Sequence, residues 1–225
     1  HGSYELQLLG QAFDDRLDWV TGLYSYYEDG VEDSPGYALG RRALQTADIH
    51  NVSYSVFAQG TYQLASAWSI TAGARWTYDD KEMTIENRTL TACTMRGESG
   101  VLLPLSECQL DLAESFDQPT GTVSLEYAPA DNMLFYLASR LGYRAGGFNA
   151  RASTVLEREP FDPETVTDLE LGSKIDWFAG DWHMRSNVAI FQQWYDDIQR
   201  TVGVANPAGI PGSSIQNAAE AETFG

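Results

Sequence analysis

The stretch Trp68-Ser69-Ile70-Thr71-Ala72-Gly73-Ala74-Arg75-Trp76-Thr77-Tyr78-Asp79 splits by parity into two unlike sets. Trp68, Ile70, Ala72, Ala74, Trp76 and Tyr78 are apolar or aromatic; the residues between them are small or polar. Successive side chains of a strand point to opposite faces, so a two-residue period held this long predicts one long strand with an oily face and a wet face. The preceding segment repeats the pattern, with Tyr54, Val56, Ala58, Gly60, Tyr62 and Leu64 against Ser53, Ser55, Phe57, Gln59, Thr61 and Gln63. Only Phe57 breaks it.

Downstream, Thr167, Leu169, Leu171, Ser173, Ile175 and Trp177 oppose Val166, Asp168, Glu170, Gly172, Lys174 and Asp176. Looser alternation marks residues 3–11, 16–28, 119–127, 132–144, 182–200 and 215–224. The sum is about nine strands, longer than the strands usual in soluble domains. The connections expected between them alternate between two classes. Short ones fall at 12–15, 65–67, 128–131 and 179–181; long ones at 29–50, 81–118, 145–164 and 201–214. A meander with one plain and one elaborated end has the loop asymmetry of an outer-membrane barrel. The expected fold is therefore all-β, an antiparallel meander forming part of a transmembrane β-barrel with long extracellular loops.

Aromatic placement agrees. Trp68, Trp177 and Trp182 lie beside short turns, where the girdle of the plain side belongs, and Trp76 and Trp194 share their face parity farther along. Those separations correspond to roughly 20–28 Å of height along tilted strands, close to the ~25 Å apolar band of such barrels. Filling of a soluble sandwich core is the alternative use of these indoles.

Composition narrows the function classes. In 225 residues, 32 Asp and Glu face 14 Lys and Arg, a net charge of −18. Lysine occurs only as Lys81 and Lys174. A nucleic-acid partner is not expected, because phosphate neutralisation needs a basic face. No run approaches the ~18 apolar residues of a membrane helix. The chain shows no basic leader followed by an apolar stretch, so any export signal is expected outside it. The only two cysteines, Cys93 and Cys108, are expected to pair in an oxidising compartment, with two free thiols as the alternative.

Three stretches carry a family resemblance. Phe135-Tyr136-Leu137-Ala138-Ser139-Arg140-Leu141-Gly142-Tyr143-Arg144-Ala145-Gly146-Gly147-Phe148-Asn149 resembles the strand that ends in the G-[FY]-[KR]-x-G-G-F-N signature of TonB-dependent outer-membrane receptors. Residues 161–174, Phe-Asp-Pro-Glu-Thr-Val-Thr-Asp-Leu-Glu-Leu-Gly-Ser-Lys, resemble the strand that follows it. Residues 217–225, beginning Asn217-Ala218-Ala219, resemble the strand after one further hairpin. The resemblance implies an active-transport receptor of the bacterial outer membrane that takes up ferric siderophores or similar scarce nutrients. It also implies contact with outer-membrane lipid, a TonB complex acting through a plug domain, and a barrel of about 22 strands, of which residues 1–225 would be a central segment without plug. No cofactor and no enzymatic activity are implied.

Candidate chemistry is sparse. There is no nucleophile, metal or phosphate-binding motif. The acidic run Glu28-Asp29-Gly30-Val31-Glu32-Asp33 reads as a solvated loop or an ion site lacking calcium-loop spacing. Arg75, Arg140, Arg144 and Arg185 fall on the inward parity, where a guanidinium either attracts an anionic chelate or balances carboxylates. Arg144, just before the glycines, is the first choice for a ligand contact. Phe148 and Asn149, with Tyr37, Arg41, Arg42 and Arg151, are expected to line an external basin. Asp168, Glu170, Lys174 and Asp176 read as a wall-stiffening charge ladder or a substrate contact. Two rivals use other physics: a passive porin or surface adhesin with the same wall, and a soluble secreted sugar-binding β-protein.

Overall fold

The computed structural model describes residues 1–38, 41–205 and 211–225; the side chains of 37, 38, 41, 205, 211 and 212 lie outside that description. Nine strands form one antiparallel sheet in the order β1-β2-β3-β4-β5-β6-β7-β8-β11. They are β1 (Gly2–Ala12), β2 (Leu17–Ala38), β3 (Arg41–Ala65), β4 (Trp68–Thr89), β5 (Leu110–Ala130), β6 (Met133–Arg144), β7 (Glu164–Ala179), β8 (Trp182–Asp196) and β11 (Ala221–Phe224). A separate hairpin pairs β9 (Gln199–Ala205) with β10 (Pro211–Asn217). Helical structure among the described residues is one short helix, α1 (Val155–Arg158), and a 3-10 turn at Leu105–Glu107.

The register carries one face across the sheet. Leu6 pairs with Leu23, Leu23 with Val56, and Val56 with Trp76. The opposite face carries Ser55 beside Thr77, and Thr77 beside Gln118. Burial then runs against the rule of soluble proteins. Trp76 is 54% exposed, Tyr54 55% and Val56 51%, whereas Ser55 and Thr77 are each 7% exposed. The polar face is the covered one. Trp68, Trp177, Trp182 and Trp194 are likewise exposed on the apolar face. This is the inside-out arrangement of a barrel wall, apolar outward and polar inward.

Phe57, the one break in alternation, has a local cause. It faces inward, opposite Gly22, and a Cβ on Gly22 would stand 2.6 Å from its ring. The ring occupies space that the glycine leaves open.

Three expectations about connections need correction. The long connection placed at 29–50 is mostly strand, because the β2–β3 ladder runs from Leu17↔Tyr62 to Ala38↔Arg41. The connection placed at 81–118 shrinks in the same way, with β4 reaching Thr89 and β5 starting at Leu110. Above the apolar band nothing requires an oily outer face, so pairing continues after alternation stops. Glu28–Asp33 is accordingly part of β2, its side chains alternate between faces, and no metal-binding group of three occurs among the described residues. Third, 182–200 and 215–224 are not single strands. Asp197 turns the chain in the left-handed region (φ 54°), the β9–β10 hairpin leaves the sheet, and β11 returns to pair with β8.

At the plain end, Phe13, Asp14 and Asp15 all have left-handed backbones (φ 60°, 56° and 62°), a cost that aspartate tolerates better than most residues. Arg16 staples this turn to its neighbour. Its guanidinium donates to the Gln63 carbonyl at 2.8 and 3.0 Å and to the Leu64 carbonyl at 3.0 Å, and lies 5.0 Å from the Tyr62 ring centre.

At the elaborated end the inward face becomes apolar. Ile49, Met83 and Leu112 form one cross-strand row, and Ala47, Ile85 and Leu110 the next. Over them folds the segment 90–109, bringing Met95 and the bonded pair Cys93–Cys108, whose Cα atoms are 5.4 Å apart. Ile85 and Met95 are fully buried. The only tightly packed apolar cluster among the described residues thus sits under the outer loops.

On the outward face above the aromatic girdle, His50 Nδ1–H donates to Asp29 Oδ1 at 2.6 Å. This bond, against the opposing effect of desolvation and with the charges of Asp29, Glu82 and Asp80 adding to it, holds the imidazole pKa above its ordinary value. A raised histidine pKa means that the contact is fully formed below the ordinary histidine range and is lost as pH rises through the raised value. Titration of the His50 ring by NMR should therefore give a midpoint above that of a free histidine, and Asp29→Asn should bring it down. An unshifted midpoint in the unmodified protein would refute the pairing.

Candidate functional site

The inward face of β2, β3 and β4 gathers aromatics around a guanidinium. Arg75 lies 5.1 Å from the Tyr24 ring centre and 5.8 Å from that of Phe57, and its Nε donates to Thr77 Oγ1 at 3.2 Å. Among the described residues Arg75 has no carboxylate partner in an ion pair. Next above it, the Tyr143 hydroxyl of β6 donates to the Asp79 carboxylate of β4, bridging across β5. A cavity of about 290 Å³ opens beside these groups, its lining including Tyr24, Tyr26, Glu28, Asn51, Asp79 and Lys81. Such a surface sets flat rings, hydroxyls and the Arg75 and Lys81 cations beside the Glu28 and Asp79 carboxylates, so rings are available to a planar ligand and only the two cations to an anionic one.

The second inward cluster is a closed charge ladder on β6, β7 and β8. Arg140 meets Asp168 at 3.0 Å and Glu170 at 3.2 Å, while the Tyr136 hydroxyl donates to Glu170 at 2.9 Å. Lys174 Nζ stands 5.6 Å from the Tyr136 ring centre. Toward the plain end Arg185 donates twice to Asp176, at 2.6 and 2.9 Å, with His183 Nε2 at 3.8 Å from the same carboxylate. These geometries are bidentate or networked, the kind in which wall charges hold one another. Arg140 and Arg185 are therefore engaged, and the quartet of Asp168, Glu170, Lys174 and Asp176 is spread along the wall.

Arg144 closes β6 opposite Glu164 and is exposed, and its side chain makes no hydrogen bond or ion pair among the described residues. Of the two following glycines, the first is forced by packing. A Cβ on Gly146 would stand 2.2 Å from the Phe161 carbonyl oxygen and 2.6 Å from the Phe116 ring, and Gly147 bridges to Phe161. Phe148 and Asn149, expected in an open basin, are buried instead. The reason is that the 145–163 segment folds inward over the sheet and becomes the hub of the outer end. Asn87 Nδ2 donates to the Ala152 carbonyl at 2.9 Å, the Arg96 N–H to Ser153 at 2.8 Å, and Arg151 meets Glu32 at 3.4 Å and Ser34 at 3.1 Å. A capping box of Thr154 and Glu157 starts α1 within the same segment. Arg42 is exposed; the side chains of Tyr37 and Arg41 lie outside the described residues.

Sequence reasoning missed Tyr24 and Phe57 as ring partners of Arg75, and the Tyr143–Asp79 bond above it. A usable signal existed for two of them: an aromatic on the polar parity of a two-faced strand has a reason to be there, and Tyr24 and Phe57 both stand on that parity. Tyr143 carries no such signal, because its reach across β5 is purely tertiary.

The sequence matches the family described as TonB dependent receptor-like, beta-barrel, over residues 2–225. Among curated proteins no sequence matches it. Among solved structures it resembles the ferric yersiniabactin uptake receptor FyuA of Yersinia pestis, with a TM-score of 0.75 at 19% identity, over 99% of this chain and 31% of that one. It also resembles the ferric-catecholate import receptor Fiu of Escherichia coli K12, with a TM-score of 0.61 at 16% identity, over 99% and 34%. A third is the Serratia marcescens hemophore receptor HasR, solved with its hemophore HasA and heme, with a TM-score of 0.57 at 16% identity, over 93% and 39%. These proteins are receptors, not enzymes, and the chain spans about a third to two-fifths of their length.

Proposed function

The chain belongs to the TonB dependent receptor-like β-barrel family, and from that premise we propose that it forms a central part of the wall and outer loops of a bacterial outer-membrane receptor that imports ferric siderophores or similar scarce nutrients. The plug, the remaining strands and the contact with TonB are contributed by the rest of the polypeptide. Outer-membrane lipid covers the apolar face, with Trp68, Trp76, Trp177, Trp182 and Trp194 at its two interfaces. The observation that carries this reading is the reversed wall, apolar outside and polar inside, roofed at one end by interlocked loops.

Within that function, Arg75 and Arg144 are the guanidiniums left for an anionic ligand, because Arg140 and Arg185 are engaged by carboxylates. Phe148 and Asn149 shape the roof beneath which such a ligand passes. Ligands named for the similar structures supply the probes: ferric yersiniabactin, a ferric catecholate and heme. Cells lacking the complete gene are grown on each as sole iron source, with and without the gene restored and with and without TonB. Growth on at least one that requires both is expected; equal growth in all strains on every probe would contradict the uptake reading. In the restored receptor, Arg75→Gln should weaken binding of the effective probe by about tenfold or more, the worth of a contact to a charged group. Unchanged binding would remove Arg75 from the ligand path.

A further inference from the structure

Two signature asparagines, far apart in sequence, hold the outer segments together. Asn149 lies in the roof segment 145–163 and is 8% exposed. Its Oδ1 accepts the Ile215 N–H of β10 at 2.6 Å, and its Nδ2 donates to the Ile215 carbonyl at 3.2 Å and to the Glu157 carbonyl at 3.2 Å. Asn217 reciprocates from the end of β10. Its Oδ1 accepts the Asp162 N–H at 2.7 Å, and its Nδ2 donates to the carbonyls of Asp162 and Asp197, both at 2.8 Å. Each amide therefore grips both polar groups of one backbone residue on the other segment, as a strand partner would. Gln199 adds a third tie, donating through Nε2 to the Ala145 carbonyl at 2.9 Å and through its backbone N–H to Glu164 at 2.8 Å.

We infer that Asn149 and Asn217 are positioning residues that latch the β9–β10 hairpin to the roof segment, so that the two open and close as one body. The hairpin has no ladder to the nine-stranded sheet; its base is held by its chain connections and by the bonds of Ile198 with Ala218 and Ala219, and among the described residues its ties to the roof segment run through these side chains. The glycines ahead of Asn149 fix where the roof leaves β6, and the amides fix what moves with it. A clasp of this kind makes the outer mouth a single lid rather than a set of independent arms. The inference concerns loop geometry and does not depend on the identity of any ligand.

Hydrogen exchange on the complete receptor in a lipid bilayer tests it. In the unmodified protein the amides of Ile215 and Asp162, one on each side of the latch, should be released by the same opening and so show matching protection. Asn149→Ala should raise exchange at both by about tenfold, the worth of one amide hydrogen bond or slightly more. Asn217→Ala should do the same, and Asn149→Asp, which keeps the acceptor for Ile215 and loses the donor, should fall between. Amides of residues 70–76 in the wall should not change. A rise confined to Ile215 in Asn149→Ala, with Asp162 unaffected, would overturn the single-body inference. Should the variants fail to assemble, protection at the two amides differing by more than about tenfold in the unmodified receptor would overturn it equally.

Discussion

Ala72→Arg is expected to destabilise the assembled receptor by about 2–4 kcal/mol, whereas Gln59→Arg, on the other face of the neighbouring strand, should cost no more than about 1 kcal/mol. Ala72 lies on the exposed apolar face midway between Trp68 and Trp76 and pairs with Gly60. A guanidinium there has no partner in hydrocarbon and must drag water with it or bend toward an interface. Gln59 faces inward beside Gly73, where the surroundings are polar. Denaturant unfolding of the complete receptor in lipid measures both. In a soluble globule the order would differ: exposed Ala72 would accept arginine at little cost. The sign of the difference between the two variants therefore distinguishes a wall from a globule more sharply than either value alone.

The second large effect concerns the outer end. Ile85→Ala should cost about 2–5 kcal/mol, the range for truncating a fully buried aliphatic side chain in a packed core. The loss should be local. Ile85 packs with Ala47, Met95, Cys93, Cys108 and Ala152, and this cluster joins the 90–109 segment to the 145–163 segment above the wall. Protease cleavage within those segments should accelerate while the heat-stable barrel signature of the wall persists. Uniform loss of the whole barrel would show that the cluster is continuous with the wall rather than a roof upon it.

These two sites also mark how much was legible beforehand. The wall could be read because hydrocarbon and lumen water impose opposite demands on alternate residues of 54–64, 68–79 and 167–177. Nine strands, their order and the aromatic placement follow from that demand. Above the band the demand ends. Strand extensions such as Gly30–Ala38 carry no oily outward parity, and in Asp80–Thr89 the apolar Met83 and Ile85 fall on the inward one, so the pairing of both depends on ladders that only the three-dimensional register reveals. The roof was opaque for another reason: its core is built from residues of the inward parity, Ile49, Met83 and Ile85, whose partners lie in segments distant in sequence.

The candidate site divides along the same line. Arg75, Arg140 and Arg185 could be placed on the inward face by parity, and their register positions agree. Which of them is engaged could not be read, because ion pairing is decided by the neighbour across the ladder. Asp168 stands opposite Arg140 and Asp176 opposite Arg185, while Arg75 stands between Phe57 and Thr120. Asn149, expected to offer contact surface, instead binds backbone, as Asn217 does, an assignment that only the return of β10 over the roof makes visible.

The most direct test of the wall follows residues 69–75 one at a time, each exchanged for a spin-labelled cysteine in the complete receptor reconstituted in a bilayer. Collision with oxygen, which concentrates in hydrocarbon, should peak at 70, 72 and 74; collision with a water-soluble nickel chelate should peak at 69, 71, 73 and 75. A profile lacking the two-residue period, or one with 70, 72 and 74 shielded from both reagents, would contradict the account.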